Sequence, residues 1–305
     1  MVYTVLARKY RPQKLSDLVG QETLVKILTN SFKLNRIAHA FILTGSRGVG
    51  KTSTARIIAK GLNCEDLAKK NAPTIDPCGI CSSCTSIAES RHIDVIEMDA
   101  ASRTGVSDVR EIIENIDYKT VTARFKVYII DEVHMLSNSA FNALLKTLEE
   151  PPEHVKFIFA TTEVTKIPTT VISRCQRFDL TRIESSKISD QLAKICNKEE
   201  ISFSRNALSL ISNMAEGSLR DALSILDQAI VHGEGSIEVE RITSMLGLVD
   251  QNGSLRLFEH IIDQEQEKIL EELDYQYKNG FDSIAILNGL METISKLMIF
   301  KIRKE

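Results

Sequence analysis

At 305 residues, with 26% charged and 43% hydrophobic side chains, the chain has the composition of a folded protein of two or three domains, not of a disordered or collagen-like one. Its net charge of -3 hides an asymmetry: residues 1–60 carry eleven Lys and Arg against two acids, and the remaining residues sum to -12. No apolar run of membrane-spanning length is expected, and MVYTVLARKYRP places charges where a secretory signal carries its apolar core, so the expectation is a cytoplasmic chain with reduced thiols.

Apolar residues at 24, 25, 27, 28, 32 and 34 recur at helical spacing over 21–35. HAFILTG (39–45) then predicts a short buried strand leading into GSRGVGKT (45–52) and a helix over 53–61. Further strands are predicted at 93–98, 125–130, 155–160 and 175–180, with helices between them at 105–118, 138–149 and 166–173. Such alternation specifies a parallel sheet with helices on both faces over 1–180. Beyond Leu180 only helical periodicity remains, at 184–199, 204–215, 218–232 and 236–246, and a small helical domain is expected over 181–246. GLVDQNG (247–253) breaks the pattern before helices at 254–262, 264–278 and 281–302, a third segment (247–305) expected to be an incomplete helical domain because IRKE carries no stop signal.

GSRGVGKT matches G-x-x-x-x-G-K-[ST] in full, between a strand and a helix. Backbone N–H groups of Gly45, Ser46, Arg47, Gly48, Val49 and Gly50, with the helix start at Lys51 to Ser53, suit phosphate oxygens; Lys51 suits the β/γ-phosphates and Thr52 an Mg²⁺ ion. The strand ending in IIDEVH delivers two carboxylates, Asp131 for the metal and Glu132 for water activation, whereas His134 is expected to pack or hydrogen-bond. ATTE (160–163) ends the fourth strand with hydroxyls that can face a γ-phosphate, or simply reflect β-propensity. Arg174 in SRC and Arg220 in GSLRD are candidates for the positive charge a phosphoryl-transfer site needs; surface solvation is the plainer alternative for each.

Cys64-x13-Cys78-x2-Cys81-x2-Cys84 supplies four thiols, the number of a closed tetrahedral zinc site. The alternatives are a reduced thiol cluster or an oxidised one. A zinc with four protein ligands has no open position, so it would pin the insertion at about 63–90 and take no part in chemistry. Cys175 and Cys196 lie outside the cluster and read as small buried apolar residues.

ARKYRP, LVGQE, GSRGVGKTS, the cysteine cluster, DAASRTG, DEVHML, LLKTLEEPP, SRC and GSLRDALSILDQA, in this order over nearly the whole chain, closely resemble the gamma/tau family of bacterial DNA polymerase III, AAA+ ATPases of the sliding-clamp loader. The resemblance implies an AAA+ core with a zinc module, a helical lid and a collar through which five subunits form an open ring. It makes Thr162 a sensor of the γ-phosphate, Arg174 an arginine finger acting on a neighbouring subunit and Arg220 a lid sensor. Ala7, Tyr10, Arg11, Pro12 and Val19 would line the adenine side. The resemblance further implies delta and delta-prime subunits, further gamma/tau copies, the sliding clamp and primer-template DNA as partners, with Arg103, Thr104 and Arg110 as candidates for DNA contact.

Two competing readings remain at this stage. One is a nucleotide-binding scaffold that does not hydrolyse, against which the full set Lys51, Thr52, Asp131 and Glu132 argues. The other is a different AAA+ DNA-remodelling motor, which would be expected to lack the four-cysteine insertion.

Overall fold

The computed structural model describes residues 3–66, 72–102, 106–233, 235–245, 251–278 and 281–303. In chain order it contains α1 (Leu6–Lys9), α2 (Glu22–Lys33), β1 (Ala40–Thr44), α3 (Lys51–Asn63), α4 (Ser82–Ala88), β2 (Val95–Asp99), α5 (Val106–Ile116), β3 (Lys126–Asp131), α6 (Asn138–Glu149), β4 (Val155–Thr161), α7 (Thr169–Ile172) and β5 (Gln176–Asp179). There follow α8 (Ser185–Lys198), β6 (Ser202–Phe203), α9 (Arg205–Met214), α10 (Leu219–His232), β7 (Ser236–Ile237), α11 (Val239–Met245), α12 (Gln251–Ile262), α13 (Gln266–Lys278) and α14 (Ser283–Arg303). The chain divides into two compact units, residues 1–195 with 212–225, and residues 196–211 with 226–305.

The first unit is built on a five-stranded parallel sheet in the order β2-β3-β4-β1-β5. Parallel strands need crossovers, and the predicted helices supply them. Successive side chains of a strand point to opposite faces, and here both faces are dry. Phe41 and Leu43, Val127 and Ile129, and Ile158 and Ala160 share one layer with Leu24, Leu28, Ile57, Ile58 and Leu62. Their alternates Ile42, Tyr128, Ile130, Phe157 and Phe159 pack under Ile112, Phe141 and Leu144. Tyr128, Phe157 and Phe159 stack in a row, with centroid spacings of 5.5 and 5.7 Å.

The helix after the phosphate loop, α3, is buried almost all round, including Lys51, Lys60 and Asn63. A helix on the outside of a sheet normally keeps a wet stripe. Here the cysteine insertion covers it: α4 packs along α3, and a Cβ on Gly61 would lie 2.5 Å from the Thr74 carbonyl oxygen, so only glycine admits that approach. Asn63 ends the helix by donating its side-chain amide to Phe125 O (2.9 Å) and accepting from Phe125 N (2.9 Å), which locks the helix terminus to the start of β3.

In the second unit β6 and β7 form a two-residue parallel ladder that the sequence pattern did not reveal, pairing Ser202 with Ser236 and Phe203 with Ile237. Helix α12 packs against α13 and α14, and the Arg256 guanidinium donates twice to Glu272, at 3.1 Å each. Helix α14 is long and apolar enough, by length and composition, to cross a bilayer (Ser283–Ile302, mean hydropathy 1.3), contrary to the expectation from sequence. A Lys296–Glu292 ion pair at 2.8 Å interrupts its apolar surface.

Candidate functional site

The phosphate loop joins β1 to α3, and its conformation explains its glycines. Gly48 and Gly50 have φ of 78° and 105°, and a Cβ on Gly48 would fall 1.8 Å from Ser218 Oγ. Lys51, at the first turn of α3, is buried and donates through Nζ to Gly45 O and Ser46 O, both at 2.9 Å. Burial pushes its pKa down, and the carboxylates of Glu132 and Asp131 oppose that push.

Adjacent parallel strands bring their C-terminal ends to one edge of the sheet, so the end of β3 stands beside the start of α3. There Thr52 Oγ1 donates to Asp131 Oδ2 at 2.6 Å, and Glu132 N donates to Asp131 Oδ1 at 3.0 Å. A hydroxyl and a carboxylate oxygen held together are the hard donors Mg²⁺ prefers, so Thr52 and Asp131 fit that ion. Glu132 adopts left-handed backbone angles, φ 45° and ψ 45°. A non-glycine residue there stores of order 1–3 kcal/mol of strain, and such strain concentrates at functional positions.

Glu132 Oε2 accepts from Thr162 N (3.3 Å) and Thr162 Oγ1 (3.1 Å) and lies 3.4 Å from His134 Nδ1. The buried His134 ring also meets Thr161 Oγ1 at 3.0 Å. The histidine therefore hydrogen-bonds behind the carboxylate rather than facing the cleft.

These groups open on a cleft of about 610 Å³. Of the residues singled out in the sequence, Ala7, Tyr10, Arg11, Pro12, Val19, Arg47, Gly48, Val49, Gly50, Lys51, Thr52, Ser53, Asp131, Glu132 and Arg220 line it. Gly45 and Ser46 lie behind the loop as acceptors for Lys51, and Thr162 reaches the cleft through Glu132. Arg174 is absent from the lining; its guanidinium donates to Glu149 Oε1 (2.5 Å) and Thr170 O (2.7 Å). Arg103 and Thr104 lie outside the described residues, as does the side chain of Arg110.

The sequence reading missed Arg8, Arg56 and the segment Ala88 to Ser90, all of which line the cleft. Arg56 sits one turn beyond Thr52 on the same helix, a spacing that could have flagged it; nothing local in the sequence points to Ala88–Ser90. Six cationic side chains (Arg8, Arg11, Arg47, Lys51, Arg56, Arg220) face three carboxylates (Glu89, Asp131, Glu132). Burial lowers the pKa of Arg11, and the nearby Arg56 lowers it further, a cost that an anionic ligand would relieve.

The sulfur atoms of Cys64, Cys78, Cys81 and Cys84 all lie within 4.8 Å of one another. Backbone N–H groups point at them in sequence, Cys78 N to Cys64 Sγ (3.4 Å), Cys81 N to Cys78 Sγ (3.3 Å) and Cys84 N to Cys81 Sγ (3.4 Å). Four thiolates around Zn²⁺ carry a net charge of about -2. Two cations stand near them: Lys60, whose pKa burial lowers against the opposing pull of Cys84, and Arg124, whose pKa burial likewise lowers against Cys64 and Cys81 and which donates to Leu62 O (3.0 Å) and Cys64 O (2.5 Å). Donor set and counter-charge fit a tetrathiolate zinc.

Three family models match the chain in succession: "DNA polymerase III, delta subunit" over residues 20–184, "DNA polymerase III clamp loader subunit, ATPase lid domain" over 187–235, and "DNA polymerase III subunits gamma and tau domain III" over 237–305. The tau subunit of Salmonella typhimurium is 46% identical over 302 residues, covering 99% of this chain and 46% of that protein. The gamma subunit of Buchnera aphidicola subsp. Schizaphis graminum is 44% identical over 301 residues, covering 99% of this chain and 82% of that protein. Among solved structures, the Thermotoga maritima RuvB Holliday junction branch migration motor superposes with a TM-score of 0.57 at 17% identity, over 84% of this chain and 80% of that one, a likeness of fold alone. This chain thus spans about half the length of the tau relatives. With the parallel sheet, the phosphate loop and the lid in the order those models require, the chain belongs to the gamma/tau family of DNA polymerase III clamp-loader subunits.

Proposed function

We propose that this chain is an ATP-hydrolysing motor of a DNA polymerase III clamp loader, which opens a sliding clamp and places it on primed template DNA. The observation that carries the reading is the Thr52–Asp131 pair at 2.6 Å beside a strained Glu132, in a cleft with a surplus of cations. Lys51 takes the β/γ-phosphates, exchanging its two loop carbonyls for phosphate oxygens. Arg220 reaches the same phosphates from the lid, and Tyr10, Arg11 and Val19 shape the base end. Thr52 and Asp131 would hold Mg²⁺, which would supply positive charge to offset that of the phosphates.

Glu132 orients the attacking water and accepts its proton while the γ-phosphorus–oxygen bond breaks in line, leaving ADP and phosphate. In the present geometry the Glu132 carboxylate is held by Thr162. Moving the Thr162 hydroxyl onto a γ-phosphate frees the base only when triphosphate is present. Arg174, outside its own cleft and exposed enough to be reached, acts on a neighbouring subunit and makes hydrolysis depend on assembly. Zinc at Cys64, Cys78, Cys81 and Cys84 is structural. The proposed partners are delta, delta-prime and further gamma/tau subunits, the clamp and primer-template DNA, and the proposed location is the cytoplasm.

Steady-state ATP hydrolysis by the chain, reconstituted with delta and delta-prime subunits, tests this with and without clamp and primed DNA. The expected result is stimulation by clamp and DNA that Arg174→Ala abolishes. Hydrolysis indifferent to both, in an assembly that sedimentation shows to be intact, overturns the motor reading. Translocation on DNA without a clamp would favour a remodelling motor of another kind.

A further inference from the structure

Helix α4 links two sites that the sequence keeps apart. Cys81 is its N-cap and Cys84 lies in its first turn, so half of the sulfur cluster belongs to this one short helix. From Cys84 to Ala88 is about one turn, or ~6 Å. There the helix ends, and Ala88, Glu89 and Ser90 form part of the wall of the nucleotide cleft. The turn is fixed: Ser90 has φ 56°, Ser90 N donates to Ile87 O (3.1 Å) and Arg91 N to Ser86 O (2.8 Å).

Two residues, Arg56 and Glu97, brace this wall. Arg56, on the loop-bearing helix and itself lining the cleft, donates Nη1 to Ala88 O (3.3 Å). Its Nε and Nη2 grip Glu97 on β2 at 2.8 and 2.7 Å. Ser90 Oγ donates to the same Glu97 at 3.3 Å. The Arg56–Glu97 pair is largely buried, and a bidentate guanidinium–carboxylate pair is directional as well as strong. Helix α3 closes the circuit, with Lys51 at its first position and Cys64 as its C-cap. Both of its ends therefore meet the two sites.

We propose that the four-sulfur site and the nucleotide cleft are thermodynamically coupled through Arg56, Glu97 and the Ala88–Ser90 wall, so that zinc and adenine nucleotide each strengthen binding of the other. The inference rests on the nucleotide-site reading above. With all four sulfurs tied to one ion, α4 holds a single position and the wall is ready for ligand. Without that tie, part of the binding free energy is spent ordering it. Coupling between sites is reciprocal, so the effect can be read from either ligand.

ADP serves as the probe, with the full chain loaded with zinc. Calorimetry gives its affinity for ADP, and competition with a chromophoric chelator gives its affinity for zinc with and without saturating ADP. Saturating ADP is expected to tighten zinc binding by on the order of tenfold. Glu97→Gln, at a residue that is neither one of the four cysteines nor itself in the cleft lining, is expected to bind both ligands and lose most of that factor. An unchanged zinc affinity in a chain that binds ADP overturns this inference alone. Absence of ADP binding by the zinc-loaded chain overturns both it and the nucleotide-site reading.

Discussion

Glu132 shows how a backbone constraint and a chemical role meet in one residue. Its left-handed conformation turns the chain sharply at the end of β3, so that Asp131 faces Thr52 while the next carboxylate faces Thr162. Replacing only the charge should separate binding from chemistry. Glu132→Gln is expected to bind ADP normally and to lower kcat by about 10²–10⁴-fold, with KM little changed, in the reconstituted assembly. Asp94 illustrates a purely structural carboxylate. Buried at the start of β2, it accepts backbone N–H groups from Val121, Thr122 and Ala123. Burial raises its pKa, but those donors outweigh burial and hold it below the ordinary carboxylate value. A depressed folded pKa gives stability that is present above the unfolded value of ~3.9 and is lost as pH falls through the folded one. Asp94→Asn is therefore expected to cost roughly 1–3 kcal/mol at pH 7 in urea melts, and the deficit should shrink below about pH 4. Lys51, Thr52 and Asp131 were legible in the sequence because short spacings and strand ends define them. The strain at Glu132 and the amide nest around Asp94 were not, since both depend on chain segments that meet only in the fold.

At the scale of elements, the alternation of strands and helices was readable because buried parallel strands are continuous apolar runs. What escaped was short or composed of polar residues. Helix α4 reads as Ser, Cys and Thr, types that favour caps and turns, and it is helical because α3 and the sulfur cluster hold it. The β6–β7 ladder is two residues long, too short for any period to show. The burial of α3 on both sides also had no local sign beyond its small residues. Gly61→Ala tests that packing: its new Cβ would meet Thr74 O, displacing the insertion. The expected cost is about 1–3 kcal/mol in thermal melts of the zinc-loaded chain, with faster loss of zinc to a chelator.

On the scale of the whole molecule, charge and apolar surface are distributed unevenly. The first sixty residues carry eleven Lys and Arg against two acids whereas the rest of the chain is net acidic, and several of those cations converge on the cleft. The last helices instead expose large apolar side chains, among them Leu270, Tyr277, Leu287, Met291 and Phe300. Exposed apolar surface of this extent is the kind that protein partners cover, and it is the surface that the proposed assembly with other subunits would use. Leu287→Asp combined with Phe300→Asp is expected to reduce assembly with delta and delta-prime subunits in sedimentation, while leaving ADP affinity of the isolated chain unchanged.

The space between Gly48 and Ser218 carries a last consequence. No side chain, not even a methyl group, fits there, so the phosphate loop and the residue preceding α10 are in hard contact. Hard contacts transmit displacement without any charge or hydrogen bond. If the loop swells by an ångström around a phosphate, Ser218 must yield, and α10 begins at the very next residue. That helix is 14 residues long, about 21 Å at 1.5 Å per residue, so a small push at its first turn acts on a long rigid rod. A ligand that displaced the loop would thereby bear on the first turn of α10 by steric exclusion, through one glycine and one serine.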